Sequence, residues 1–288
     1  MSRDVAAPAA VGVLGGGRMG AGIAHAFLLA GSRVRVVERD EESADAAAGR
    51  IRDSIQRSLE REPSLDGSEL LARLQAGVDV QVFGDCELVV EAVPEDRRLK
   101  ESALARAEGA MATGATLATN TSSISIYDLS AHRLRPDRFL GLHFFNPVPA
   151  SALVEIVRGS TTSADVVDRA RAWVGALGKT PIVVRDSPGF ASSRLGVILG
   201  LEAIRMLEEG VATAADIDAA MTLGYRHPTG PLRTTDVVGL DVRLGIAEEL
   251  ERSLGERFAP PELLRRMVAE GKLGRKSGEG FYAWNEDT

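Results

Sequence analysis

Residues 11 to 40 read VGVLGGGRMGAGIAHAFLLAGSRVRVVERD, and this stretch decides the fold. A short β-branched run, a glycine turn, an amphipathic stretch, a stop at Gly31 and a second apolar run ending in charge make one strand–helix–strand unit. Gly15, Gly17 and Gly20 form G-x-G-x-x-G where the first strand meets the helix. In that context the first glycine permits a tight turn, the second lets backbone approach a pyrophosphate, and the third allows close packing of helix on sheet. The N–H groups of the helix N-terminus then face the anion. Glu38 closes the second run, 21 residues after Gly17, where a carboxylate accepts hydrogen bonds from an adenosine ribose. This predicts NAD rather than NADP, because Glu38 would repel any 2′-phosphate that the adjacent Arg39 attracted.

Outward from this unit the pattern keeps alternating. A polar, alanine-rich helix is predicted from Glu41 to Glu62, stopped by Pro63, with a second helical segment from Ser68 to Ala76. Strand candidates follow at 88–93, 116–119, 139–144, 153–157 and 181–184. Alternating strands and helices imply an α/β, Rossmann-type, mainly parallel sheet covered on both faces. After Arg185 no alternating run recurs, and residues 190–270 carry helical spacing almost throughout. The expected domains are therefore 1–186, which binds NAD, and 187–288, all helix. Ser187 and Pro188 read as the start of the first helix there, a hydroxyl N-cap followed by proline.

The 288 residues carry 41 acidic side chains against 34 Lys and Arg, a net charge of −7, with 44% hydrophobic composition. Such an acidic balance opposes nucleic-acid binding, which draws its affinity from clustered Lys and Arg. The longest apolar stretches, such as 195–201, fall short of the roughly 20 residues a membrane span requires. The opening MSRDVAAPAA lacks the apolar core of a secretory signal and reads as a short arm. One cysteine, Cys86, and four scattered histidines offer neither an internal disulfide nor a zinc-like spacing, so no metal and a cytoplasmic location are expected.

Three segments, 88–100 (LVVEAVPEDRRLK), 119–123 (TNTSS) and 141–149 (GLHFFNPVP), together with the glycine fingerprint, resemble the 3-hydroxyacyl-CoA dehydrogenases, including the bacterial 3-hydroxybutyryl-CoA enzymes. The likeness continues through LVEIVRG at 153, ALGKTP at 176, SPGF at 187 and LGRKSGEGFYAW at 273, so it covers residues 11–284. It implies reversible hydride transfer between C3 of a 3-hydroxyacyl thioester, as the S alcohol, and the nicotinamide. That reaction needs a group to carry the hydroxyl proton, and His143 is the candidate because imidazole titrates near neutral pH. Glu155 lies 12 residues further on in the next strand candidate, and Asn146, Pro147 and Pro149 supply a turn to fold that strand back. A carboxylate on one imidazole nitrogen fixes the tautomer and stabilises the imidazolium. A glutamate within LVEIV is also costly to bury without a partner.

The resemblance assigns further roles. Ser122 matches a serine that contacts the cofactor and the substrate 3-oxygen, and Asn146 a position near the nicotinamide. Glu95 and Lys100 match residues holding the nicotinamide half, and Lys276 one reaching it from the chain's end. Ser54 and Arg61, seven residues apart and so on one helix face, match contacts to coenzyme A, among arginines at 50, 52, 57 and 61. A solvated charged face explains those arginines equally well. Ser193 stands where the family carries an asparagine that contacts the substrate; its hydroxyl offers one donor where an amide offers two. The acyl-CoA thioester is thus the implied substrate and a homodimer through the helical domain the implied assembly. Two alternatives remain at this point: a dehydrogenase of another β-hydroxy acid, on a carrier protein or as a free sugar acid, and an inactive NAD-binding structural or sensing protein.

Overall fold

The computed structural model describes residues 6–284; the first five residues of the arm lie outside them. The chain divides into two compact units, Met1–Asp186 and Ser187–Thr288. The first is built on an eight-stranded sheet in the order β3-β2-β1-β4-β5-β6-β7-β8. Its strands are β1 (Ala10–Leu14), β2 (Arg33–Val37), β3 (Leu74–Gly77), β4 (Leu88–Glu91), β5 (Thr116–Thr119), β6 (Phe139–Phe144), β7 (Leu153–Arg158) and β8 (Thr180–Arg185). Neighbours from β3 to β6 run parallel; β7 turns back against β6, and β8 runs parallel to β7. The connections are α1 (Arg18–Leu29), α2 (Glu41–Arg61), α3 (Gly67–Ala72), α4 (Arg97–Ala110), α5 (Ile126–Ser130) and α6 (Ala164–Ala176).

Local chemistry sets the boundaries. Asp40 caps α2 by accepting the Ser43 N–H at 2.7 Å, and Asp96 caps α4 through the Leu99 N–H at 2.8 Å; each such cap contributes about 1 kcal/mol. Gly31, at φ +91°, releases α1 into β2. Val11 and Val13 of β1, Ile23 and Phe27 of α1, and Ile51 and Ile55 of α2 are buried in one core, which seats both helices on one face of the sheet. Pro181, which lacks an N–H, lies on edge strand β8, where a missing donor is tolerated.

The second unit holds α7 (Ser192–Glu208), α8 (Ala214–Ala219), α9 (Pro231–Val238), α10 (Leu240–Leu254) and α11 (Glu262–Ala269) around Leu201, Ile204, Leu232, Leu240 and Leu264. Its end is clamped by Asp236, which accepts from Phe281 N at 2.9 Å, Tyr282 N at 3.0 Å and Trp284 Nε1 at 2.8 Å.

Two sequence expectations are corrected. The helix predicted for 68–76 ends at Ala72, and Leu74–Gly77 becomes the edge strand β3, in register with Val34–Val37 of β2. Four residues, of which Gln75 is exposed and the others half-buried, are too few to carry a readable alternation; the open edge of β2 supplies the pairing. The helix expected at Ser187 begins instead at Ser192, because Gly189 at φ +72° and Phe190 at φ +50° are both left-handed and cannot propagate a right-handed helix.

Candidate active site

The strand order reverses between β1 and β4, so their carboxyl ends open a crevice of the kind that accepts a dinucleotide. Gly15 turns there at φ +95°, a conformation that L side chains rarely adopt. A Cβ on Gly20 would sit 1.8 Å from the Gly15 carbonyl oxygen, which explains the third glycine by close approach of helix to loop. A Cβ on Gly17, the N-cap of α1, would meet nothing within 4 Å, so internal packing does not require that glycine. Open space over an uncapped helix N-terminus with no acidic residue in its first turn fits a pyrophosphate. Glu38 accepts the Gly16 N–H at 2.6 Å, fixing its carboxylate at the rim, while Arg39 points its Nε to Asp40 at 2.9 Å. The residues present therefore suit NAD, whose adenosine and pyrophosphate end Gly15, Gly17, Gly20 and Glu38 could hold.

On the other side of the switch, β6 and β7 pair antiparallel with His143 directly opposite Glu155. His143 Nδ1 and Glu155 Oε2 lie 2.7 Å apart, with His143 5% and Glu155 0% exposed. Antiparallel register puts both side chains on the same face of the sheet, and the turn at 145–152 closes the pair. The Phe145 ring packs 4.5 Å from the imidazole at an interplanar angle of 51°. A buried carboxylate at this distance is a strong acceptor for Nδ1–H and orients the opposite ring nitrogen for proton exchange.

Between the fingerprint and His143, the ends of β4 and β5 carry a dense polar network. Glu95 Oε1 accepts from Thr121 Oγ1 at 2.5 Å, Ser122 N at 2.9 Å, and Ser123 N and Oγ at 3.1 and 3.0 Å. Ser122 thus sits in a turn wrapped around the carboxylate. Burial would raise the Glu95 pKa, but Lys100 and these donors hold it below the ordinary carboxylate range. Lys100 is 1% exposed; its Nζ donates to Glu91 Oε1 at 2.8 Å and lies 3.3 Å from Glu95 Oε2. Glu91, the last residue of β4, was not singled out from sequence. Its signal is a carboxylate ending the apolar run LVVE, where an ionised side chain demands a partner.

A cleft of about 410 Å³ lies between α2 and the β6–β7 turn. Ser54 and Arg61 line it together with Arg18, Arg50, Arg57 and Asp53, and Asn146 to Ala150 form the facing wall. Arg57 donates to Ser54 Oγ at 3.0 Å, and Arg50 reaches the Gly16 carbonyl at 3.2 Å. Positions 50, 54, 57 and 61 share one helix face, whereas Arg52 falls off it and does not line the cleft. Asn146 follows β6 in a cis bond to Pro147, and Lys179 secures the turn through the Val148 carbonyl at 2.7 Å.

In the second unit, Ser193 occupies the first turn of α7, and Lys276 Nζ pairs with both oxygens of Asp241 at 2.5 Å. Although burial alone would raise it, the lysine holds the Asp241 pKa below its ordinary value.

Comparison with known proteins agrees with this geometry. Residues 10–187 match the family described as 3-hydroxyacyl-CoA dehydrogenase, NAD binding domain, and residues 189–284 its C-terminal domain. The chain is 42% identical over 275 residues to a probable 3-hydroxybutyryl-CoA dehydrogenase of Deinococcus radiodurans, covering 95% of this chain and 99% of that protein. It is 41% identical over 279 residues to a 3-hydroxybutyryl-CoA dehydrogenase of Mycobacterium tuberculosis, covering 95% and 98%. The crystal structure of (S)-3-hydroxybutyryl-CoA dehydrogenase from Ralstonia eutropha superposes with a TM-score of 0.92 at 38% identity, over 97% of this chain and 100% of that one. With both family domains matched in order along nearly its whole length, the chain belongs to the NAD-dependent 3-hydroxyacyl-CoA dehydrogenase family.

Proposed function

We propose that this chain interconverts (S)-3-hydroxyacyl-CoA and 3-ketoacyl-CoA, with His143 as the acid/base group and Glu155 as its orienting partner. The observation that carries the reading is the 2.7 Å contact between a buried imidazole and a buried carboxylate at the end of the crevice. In oxidation, His143 takes the proton of the 3-hydroxyl while Glu155 stabilises the imidazolium that forms; in reduction the same proton returns to the alkoxide. Bound NAD supplies the acceptor for the hydride that leaves C3, and in reduced form the donor. Ser122 donates a hydrogen bond to the 3-oxygen and lowers the cost of the charge developing there. Gly15, Gly17, Gly20, Glu38, Glu95, Lys100 and Asn146 are assigned to the cofactor side of the site.

The coenzyme A moiety is assigned to the α2 cleft, with Ser54 and Arg61 among its contacts. Three arginines on one helix face, Arg50, Arg57 and Arg61, with Arg18 of α1 also lining the cleft, suit phosphates through charge-assisted hydrogen bonds. This favours a CoA thioester over a free sugar acid. On the resemblance alone, Ser193 is assigned to the acyl group and Lys276 to the cofactor. Exposed Leu195, Val237, Val238 and Val242 on α7, α9 and α10 support a homodimer through the helical unit, which chain mass in solution checks. A single cysteine, Cys86, buried and free, offers no internal disulfide, which suits a reducing cytoplasmic setting. The decisive experiment follows NADH oxidation against 3-ketoacyl thioesters of coenzyme A and of carrier protein, and against free acids. Turnover confined to the CoA thioesters, and lost in His143→Gln, is expected; undiminished turnover in His143→Gln would overturn the acid/base assignment.

A further inference from the structure

The network behind Ser122 holds more negative than positive charge. Glu91, at 0% exposure, and Glu95 share one cation, Lys100, at 2.8 and 3.3 Å. The remaining contacts of the two carboxylates in this network come from donors: Thr119 Oγ1 at 2.6 Å and Val93 N at 2.7 Å to Glu91, and the Thr121, Ser122 and Ser123 groups to Glu95. Two carboxyl groups thus face one ammonium, a formal excess of one negative charge in the trio. Asp96 and Arg97, next in sequence after Glu95, have partners of their own. Asp96 caps α4 through Leu99 N, and Arg97 pairs with Asp128 at 2.7 Å.

Position gives this excess a consequence. Glu38 holds the adenosine side of the crevice at the end of β2, so the ends of β4 and β5, on the far side of the switch point, border the nicotinamide half. The oxidised nicotinamide ring carries a positive charge and the reduced ring none. A fixed negative excess beside it therefore attracts one form and not the other.

We propose that the Glu91–Lys100–Glu95 trio shifts the balance between oxidised and reduced cofactor on this protein toward NAD⁺. Glu95 supplies the near charge. Glu91 is a positioning residue that acts through Lys100: its carboxylate holds the ammonium below the crevice and neutralises it, leaving the Glu95 charge uncompensated. The inference rests on the cofactor assignment and is independent of the acid/base role of His143.

The test reads binding, not turnover. Dissociation constants for NADH by fluorescence titration and for NAD⁺ by competition give the ratio Kd(NAD⁺)/Kd(NADH) for each variant. Glu95→Gln keeps an acceptor oxygen for the Ser122 and Ser123 amides and drops the charge on a partly exposed side chain, so its folding is not at stake. Through a partly screened interaction across a protein surface, the ratio is expected to rise on the order of tenfold. Glu95→Asp, which retains the charge, is expected to keep the wild-type ratio, and Glu91→Gln to shift it in the same direction as Glu95→Gln. A ratio unchanged within twofold in Glu95→Gln, with both constants moving together, would overturn the proposal and leave the trio a purely structural contact.

Discussion

The side-chain carbonyl of Asn120 accepts the backbone N–H of Phe144 at 2.9 Å, tying the turn that carries Ser122 to the strand that carries His143. Both catalytic candidates must meet the same substrate oxygen, so their separation has to be fixed, and this bond joins the residue two before Ser122 to the residue after His143. Asn120→Ala leaves the buried Phe144 N–H without its acceptor, at a cost of about 1–3 kcal/mol. A misplacement of about 1 Å in the reacting groups lowers kcat on the order of a hundredfold. The expected outcome in steady-state assays is a fall in kcat with little change in KM for NADH, while Asn120→Asp, which keeps the acceptor oxygen, retains more activity than Asn120→Ala.

The carboxylate behind the imidazole is testable by itself. Glu155→Gln preserves shape but replaces the anion at 2.7 Å from Nδ1 with a neutral amide, so the imidazolium is no longer stabilised. kcat is expected to fall by about two to four orders of magnitude, with NADH affinity within a factor of two. Single-turnover hydride transfer followed at the NADH absorbance band checks this, and near-wild-type rates would remove Glu155 from the mechanism.

Much of this architecture was legible in 30 residues, because G-x-G-x-x-G, a helix and a terminal acidic residue constrain one another in a single strand–helix–strand unit. The contact between His143 and Glu155 was legible for a related reason: a buried charge in LVEIV required a partner, and a proline-containing turn allowed one. What stayed hidden depends on neighbours. Leu74–Gly77 is a strand because β2 offers an unpaired edge, which no four-residue window records. Phe190 halts a helix start that Ser187 and Pro188 invite, and nothing in its side chain announces a positive φ. The contacts of Glu91 with Lys100 and of Arg50 with the Gly16 carbonyl stayed hidden because the fold alone brings these partners together.

The arginine face of α2 separates the CoA reading from the carrier-protein one. Arg57→Ala and Arg61→Ala each remove a cation from the cleft wall without touching His143. KM for an acetoacetyl-CoA substrate is expected to rise about tenfold in each, as a charge-assisted hydrogen bond contributes about 1.5 kcal/mol or more. KM for the matching pantetheine thioester, which lacks the nucleotide phosphates, is expected to stay where it is. Equal effects on both substrates would place the phosphates elsewhere.

His25 makes stability depend on mild acid. It is buried on α1 with Nε2 3.2 Å from Ser58 Oγ, Nδ1 without a hydrogen-bond partner, and Arg57 nearby. Burial, reinforced by the positive charge of Arg57, lowers its pKa from 6.5 to about 4, so the folded protein keeps it neutral. The unfolded chain binds that proton near pH 6.5 and the folded one only near pH 4. The unfolded state therefore takes up more protons between those values, and stability that is complete above pH 6.5 is lost as pH falls toward 4. By pH 4.5 the loss from this one group amounts to about 2–3 kcal/mol. Carboxylates titrate in the same range, so the check is a comparison: urea unfolding of wild type and His25→Leu at pH 7.5 and 4.5. The variant is expected to lose about 2–3 kcal/mol less than wild type between the two conditions, and identical losses would show that His25 is not the group responsible.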